Sequence, residues 1–302
     1  MQTPLFSIVI ANYNYGRFLE DAIKSVIVQG MGDQVELIIC DAASTDNSVE
    51  VIKKYANGLP ANTLRSEWTG PNSQLPTLNT NLISWWCSEK DRGQSAAFNK
   101  GFAHARGKYL TWLNADDVFF PGALKSISKV IERYPDGEWF VGSTAWVDKN
   151  LRIKRVFTAH RFSVLRGHFA CATACGPSSF FTKRLLDSAG GIDETMHYAM
   201  DIDLWHKFFR KCHVRYHRTT AMVWAYRIHE DSKLSGADVS TSEKALQNRA
   251  RANAEGKVLA QRYPSSVCWF RPFALFLSFS IRDKLRSRYL TRKLKGLFVY
   301  EC

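Results

Sequence analysis

At 302 residues the chain holds one large domain, or one domain with an appendage, and its 45 % hydrophobic residues are ample for a core. The formal net charge of +13 is weighted to the end, where nine Arg or Lys between Arg262 and Cys302 stand against Asp283 and Glu301; such a tail meets anionic lipid, an acidic partner or plain solvent, and no nucleic-acid module accompanies it. Seven scattered cysteines, odd in number and without a secretory signal ahead of the first strand-like run, exclude a disulfide framework and lead to the expectation of reduced thiols in a cytoplasmic protein.

Phe6 to Ile10 is a buried-strand signal, ended by the turn formers Asn12, Asn14 and Gly16. Phe18, Ala22, Ser25 and Val26 then share one helical face, and Val35 to Cys40 reads as a second strand. Asp41 to Asp46 forms a turn, with Asp46 as a cap for a helix over Asn47 to Tyr55. Strand and helix alternating at this spacing predict parallel βαβ units, that is, an α/β fold. The first turn lacks G-x-G-x-x-G and a P-loop, which argues against a dinucleotide dehydrogenase. Leu59 to Asn81, rich in Pro, Asn, Thr and Ser, is a long connection to which the sequence assigns no role.

Ser88 to Leu124 organises the chain. Phe98, Gly101, Phe102 and Ala105 fall on one face of a helix between Gln94 and Arg106, and Gly107 ends it. Tyr109 to Leu113 has no polar alternation, as expected of a central strand covered on both faces. It stops at Asn114-Ala115-Asp116-Asp117, and Pro121 opens the next helix. Carboxylates at the C-terminal end of such a strand lie where open α/β sheets bind ligands, and they suit Mg²⁺ or Mn²⁺ bridged to phosphate. Helix capping explains an isolated acidic turn equally well. Asp41 has the same two readings, turn former or pocket residue.

Glu138 to Val147 and Ile153 to Phe157 read as paired strands, and a short helix ends at Gly190-Gly191. Cys171 and Cys175 lie near His168, but no second Cys or His pair at finger-like spacing supports structural zinc. Leu204, Trp205 and Phe208 make the apolar stripe of a helix that starts with Asp201 and Asp203, where dipole complementarity is the plain explanation of the acids. Val214 to Ile228 is strand-like and leads into Arg227 and His229; the Arg227 fork of donors suits phosphate. Ser242 to Tyr263 is a polar helix. The segment 267–295 joins an apolar run to a basic one. Its apolar part is too short for a bilayer, which needs about 20 apolar residues, and the segment suits either an interfacial helix on anionic lipid or a helix packed on the protein.

Ser88-Glu89-Lys90-Asp91-Arg92-Gly93, Asn99-Lys100-Gly101, Asn114-Ala115-Asp116-Asp117 and Pro121-Gly122-Ala123-Leu124 together resemble the family-2 inverting glycosyltransferases, over about residues 5–236. The resemblance implies a GT-A fold: a mixed, mainly parallel sheet flanked by helices. Residues 1–117 form the nucleotide-sugar half, 118–236 the acceptor side, and 237–302 a basic helical extension. It also implies that Asp116 holds a divalent ion, Mn or Mg, completed by His229. Ala11, Tyr13 and Asp41 line the nucleotide pocket, Asp91 lies near the base, and Asn114 hydrogen-bonds the ribose. Asp201 is the general base, Asp203 its competitor or an acceptor contact, and Arg227 meets the diphosphate.

The activity implied is metal-dependent inverting transfer from a nucleotide-sugar, UDP first, to a saccharide or lipid-linked saccharide hydroxyl in bacterial surface-polymer synthesis. The enzyme would sit in the cytoplasm, with peripheral attachment to the inner face of the membrane. A sugar-nucleotide-forming nucleotidyltransferase is the alternative, yet Ala11 to Arg17 offers only Gly16 and Arg17 toward a triphosphate loop. A non-catalytic membrane-associated binding module of the same fold is the other.

Overall fold

Three apolar runs, Phe6–Asn12 (β1), Val35–Asp41 (β2) and Tyr109–Asn114 (β4), are buried on both faces almost throughout, and this is why they form the centre of a sheet. The computed structural model describes residues 3–58, 82–162, 176–232, 243–264 and 281–301. The stretch 59–81, the His168/Cys171/Cys175 group and the apolar segment 267–280 lie outside the described residues.

β1 lies between β2 and β4 in parallel register, with Ile83–Ser88 (β3) parallel on the outer side of β2. Because side chains alternate along a strand, each strand feeds two cores. Phe6, Ile8, Ile10, Leu37 and Ile39 pack with the helices Gly16–Ile27 (α1) and Ser48–Ala56 (α2). Val9, Ile38 and Cys40 pack with the helix Gln94–His104 (α3) on the other face. Gly101 lets α3 come close, for a Cβ there would stand 2.3 Å from Val9 Cγ1.

The second half extends the same sheet. Its strands are Val118–Phe119 (β5), Trp139–Val147 (β6), Ile153–Phe157 (β7), Ser179–Thr182 (β8) and His217–Arg227 (β9). The order is β3-β2-β1-β4-β8-β6-β9-β5, with β7 also on β6. Parallel pairing is confined to the β3-β2-β1-β4 block and to β6 with β9; the other pairs are antiparallel. The sheet is mixed, and mainly parallel only in its N-terminal half.

The helix Ala123–Arg133 (α4) follows Gly122, which sits at φ +69°. Lys183–Ala189 (α5) is capped by the Thr182 hydroxyl, which accepts the Leu185 N–H, and stops at left-handed Gly190. Met200–His206 (α6) continues into a π turn over Lys207–Lys211. Its apolar stripe is buried: Trp205 stacks on Trp112 at 5.6 Å and on Trp139 at 5.3 Å.

The C-terminal extension is tied to what precedes it. The helix Glu243–Arg262 (α7) bonds to the α6 region through Glu255 and Arg262, and Ile281–Leu294 (α8) runs along β7. The Thr291 and Ser287 hydroxyls of α8 accept the N–H groups of Val156 and Thr158. Asp283 is buried against Arg218, and Val299 and Tyr300 are buried with Val118, Phe120, Ala145 and Val147. One face of α8 therefore packs on the protein, as one of the two readings of the tail expects. Its other face carries exposed Leu285 and Tyr289. Among the described residues no helix is long and apolar enough to cross a membrane.

Candidate active site

Parallel register brings the C-terminal ends of β1 to β4 level, with Asp41 beside Asn12 and Ser88, and Ala11 beside Asn114. Above this rim lies a cavity of about 750 Å³, of the size that takes a nucleotide-sized ligand. Ala11, Tyr13, Asp91, Asn114, Asp116 and Asp201 all line it, so the two acidic clusters share one cleft.

Asp116 and Asp117 divide the work of the acidic turn. Asp117 is fully buried and accepts the Arg227 N–H at 2.8 Å and the Asn114 side-chain amide at 2.7 Å. Burial, and then the neighbouring Asp116 charge, push its carboxyl well above the usual range. Asp117 thus ties the end of β4 to the end of β9. Two residues further on, His229 Nε2 lies 3.0 Å from Asp116 Oδ2. The imidazole is buried between Phe18 and Tyr15, and its Nδ1 accepts the Asp231 N–H at 3.3 Å. That bond leaves the ring proton on Nε2, facing Asp116. In this tautomer His229 orients the carboxylate; ligating a cation through Nε2 requires the other one.

Asn114 is fixed by both ends of its amide, donating to Asp117 and accepting from Gln94 Nε2 at 2.9 Å. A carboxylate here would face buried Asp117, which accounts for an amide at this position. Asp91 accepts the Gly93 N–H and shapes the turn into α3, where Gly93 takes φ +119°.

Asp201 is set into the opposite wall at the start of α6. Burial raises its carboxyl above the usual range, while the N–H groups of Ile202 and Gly176 pull the other way. A carboxylate poised upward in this way is a better proton acceptor than a solvated one.

Three expected contacts are placed elsewhere. Asp41 is 1 % exposed, and Asn12, the Ser44 hydroxyl, the Ser44 N–H and the Ser88 hydroxyl occupy its two oxygens. It holds the following loop in shape, and Ala42, Ala43 and Thr45 line the cavity instead. Asp203 is fully buried on the far side of α6, against Arg262, Tyr263 and Lys207; i and i+2 on a helix point apart. Arg227 is 2 % exposed, with its guanidinium 2.8 Å from Asp21 and stacked over Phe18, away from the cavity. Its Nη2 is held by Asp21 of α1, while its buried Nε has no hydrogen-bond partner among the described residues.

Other lining residues escape a reading of the sequence. Trp224 and Tyr226 reach the cavity from β9, and period-2 alternation along this strand was the available signal, since it also turns Arg227 to the opposite face. His197 and Tyr198 line the wall before α6. Their N–H groups, with that of Ala199, bond the Glu255 carboxylate of α7 at 2.8–2.9 Å. No local pattern announces so distant a partner.

The family model "Glycosyl transferase family 2" matches residues 7–75 and 86–187. An uncharacterized glycosyltransferase of Nostoc sp. is 36 % identical over 126 residues, covering 42 % of this chain and 32 % of that one. The chain spans less than two thirds of the length of the curated relatives it matches first. Among solved structures, S. aureus TarS 1-349 in complex with UDP-GlcNAc superposes with TM-score 0.55 at 13 % identity, over 92 % of this chain and 77 % of that one. Mannosyltransferase PcManGT from Pyrobaculum calidifontis, in complex with GDP-Man and Mn²⁺, gives 0.52 at 14 %, over 97 % and 86 %. These two likenesses bear on the fold alone. With the family model matched over more than half of this chain, the chain belongs to glycosyl transferase family 2.

Proposed function

We propose that the chain transfers a sugar from a nucleotide-sugar, UDP-linked first, to an acceptor hydroxyl with inversion at the anomeric carbon. The observation that carries this reading is the single cleft shared by Asp116 and Asp201. The solved relatives hold UDP-GlcNAc in one case and GDP-Man with Mn²⁺ in the other, which supports a nucleotide-sugar donor.

The residues present suit a divalent cation bound together with its substrate. Among the described residues no group of three or more His, Cys, Asp or Glu can hold an ion by itself. Asp116, oriented by His229, offers one protein ligand, and His229 would add a second only in its other tautomer, which suits Mg²⁺ or Mn²⁺ when phosphate oxygens supply the others. Bound there, the ion stabilises the negative charge that builds on the departing diphosphate. Asn114 and Asp91 orient the nucleoside end. Asp201 takes the proton of the acceptor hydroxyl as it attacks the face opposite the leaving group, so no covalent sugar–enzyme intermediate forms.

The acceptor is a saccharide, free or lipid-linked. Exposed Leu285 and Tyr289 share the outward face of α8 with Arg288 and Arg292, a pattern that suits the surface of an anionic membrane. The decisive experiment screens nucleotide-sugars for Mn²⁺-dependent hydrolysis by the full chain and by Asp201→Asn. Turnover of none of them, with any acceptor offered, turns the reading to a binding module.

A further inference from the structure

Beyond the cavity, the register of the sheet continues an aromatic path away from Asp201. Trp224 and Tyr226 lie on one face of β9, with ring centroids 5.5 Å apart. Tyr226 is the Cα partner of Trp146 on β6, and Trp146 in turn pairs with Arg155 on β7, next but one to Phe157. The Trp146 ring lies 6.5 Å from Tyr226 and 5.0 Å from Phe157, and the Arg155 guanidinium stands 4.8 Å over Phe157. At the inner end the path meets the candidate base: a Cβ added to Gly176 would stand 3.8 Å from both Trp224 Cη2 and Asp201 Oδ2.

The outer end of this path is open to solvent. Trp146 is 38 % exposed, while the other residues of β6 are buried. The reverse face of the same strands is covered, since Leu290, Leu294 and Phe298 pack on Ala145, Val147 and Val156. A half-exposed tryptophan beside a half-exposed phenylalanine, continuous with a catalytic cavity, marks a binding surface.

Chemistry narrows the occupant. A pyranose presents C–H bonds on its flat faces and hydroxyls round its edge, so it lies on the electron-rich face of an aromatic ring while its hydroxyls remain hydrogen-bonded. Successive rings suit successive sugars, and Arg155 adds donors for hydroxyl or carboxylate groups at the edge. Trp146 and Phe157 lie outside the lining of the cavity, which Tyr13 and Asp91 share with Asp116, so the proposed nucleoside contacts and these rings are separate surfaces. We infer that Trp146 and Phe157, with Tyr226 between them and the cavity, form a platform for the chain of an oligosaccharide acceptor. Its terminal residue reaches Asp201. This rests on the transferase reading above and makes the acceptor at least two or three sugars long.

The test uses the full chain, a printed oligosaccharide array, and the variants Trp146→Leu and Phe157→Leu, which keep apolar bulk and remove the ring. UDP binding is measured by calorimetry on the same samples. The wild type is expected to retain a subset of oligosaccharides and not the matching monosaccharides. Each variant should lose about tenfold in retention, the loss of one aromatic contact, while UDP affinity holds within about twofold. Undiminished retention by both variants overturns the platform, as does a wild type that binds UDP and retains no oligosaccharide. A wild type that binds oligosaccharide through these rings but never UDP keeps the platform and removes the transferase reading.

Discussion

Glu255 accepts the backbone N–H of Tyr198 at 2.8 Å, with those of His197 and Ala199 on the same carboxylate. A side chain of the C-terminal extension thus holds the loop that enters α6 and aims Asp201. Arg262 and Tyr263 fasten the same helix through buried Asp203. Glu255→Ala frees three N–H groups and lets the start of α6 shift. Turnover is expected to fall about tenfold to a hundredfold, as misplacement of a reacting group does, with UDP affinity kept. Equal losses in turnover and in UDP affinity would falsify a positioning role.

How much of this was open to a reader of the sequence depends on range. β1, β2 and β4 announce themselves because strands covered on both faces are nearly continuous apolar runs, interrupted here by Ser7, Glu36 and Thr111, and the acidic turn stands out by ending one of them. That Asp201 and not Asp203 faces the cavity is invisible in a motif that offers both at the head of one helix. The misplacement of Arg227 had a signal: on a strand with Trp224 and Tyr226 turned to the cleft, residue 227 points away. Glu255 had none. Its helix is largely polar and leaves Leu246 and Val258 exposed, and its partners are contributed by a loop far earlier in the chain.

Asp201→Asn keeps the shape and removes the proposed base. Transfer should drop by about 10² to 10⁴, the usual worth of a general base, and UDP binding should persist. Because burial raises the Asp201 carboxyl, the wild-type rate should fall on the acid side with a midpoint above the ordinary aspartate range, a limb that the variant lacks. Stability moves the other way. A raised folded-state pKa means that folding favours the protonated form, a contribution present in acid and lost as pH rises through that pKa. The variant should therefore melt above the wild type near neutrality and level with it in acid. A variant that melts lower at neutral pH contradicts the assignment.

Asp116→Ala should abolish the effect of Mn²⁺ on UDP binding. In the wild type, Mn²⁺ alone should bind weakly and UDP with Mn²⁺ tightly, because the described residues offer so few ligands by themselves. His229→Ala keeps the carboxylate but loses its orienting imidazole, and should weaken the Mn²⁺-dependent part by about 10- to 100-fold. Calorimetry with and without the metal separates the two. Equal Mn²⁺ enhancement in the wild type and Asp116→Ala would move the cation site elsewhere.

Glu36 holds the opposite end of the sheet. Its buried carboxylate accepts the Ser7 hydroxyl and the Arg106 N–H, both at 2.6 Å, and pairs with the Arg106 guanidinium at 2.8–2.9 Å. Burial alone would raise its pKa, but these donors outweigh it and lower the carboxyl below the usual range. The stabilisation is then present above the ordinary glutamate pKa and lost as pH falls through the depressed one. Glu36→Gln should cost about 1.5–3 kcal/mol at neutral pH, as for hydrogen bonds to a charged group. Urea unfolding should show the gap narrowing as pH is lowered, and a gap that widens in acid contradicts the pairing.

The outward face of α8 offers a last test, on the membrane. Leu285 is 58 % and Tyr289 62 % exposed, at i and i+4, and Arg288 and Arg292 follow the same face. Basic residues near an anionic surface contribute about 1 kcal/mol each and are screened by salt. The full chain should sediment with phosphatidylglycerol vesicles, less so as salt rises, and hardly at all with phosphatidylcholine. Replacing Leu285 and Tyr289 together by glutamate should cut vesicle binding at least about tenfold. The melting temperature should hold, since neither side chain belongs to the packed face against β7. Equal binding to neutral vesicles, or full binding by the double variant, would assign this face to solvent and leave Asp283, Ser287 and Thr291, which dock α8 on the sheet, as its whole function.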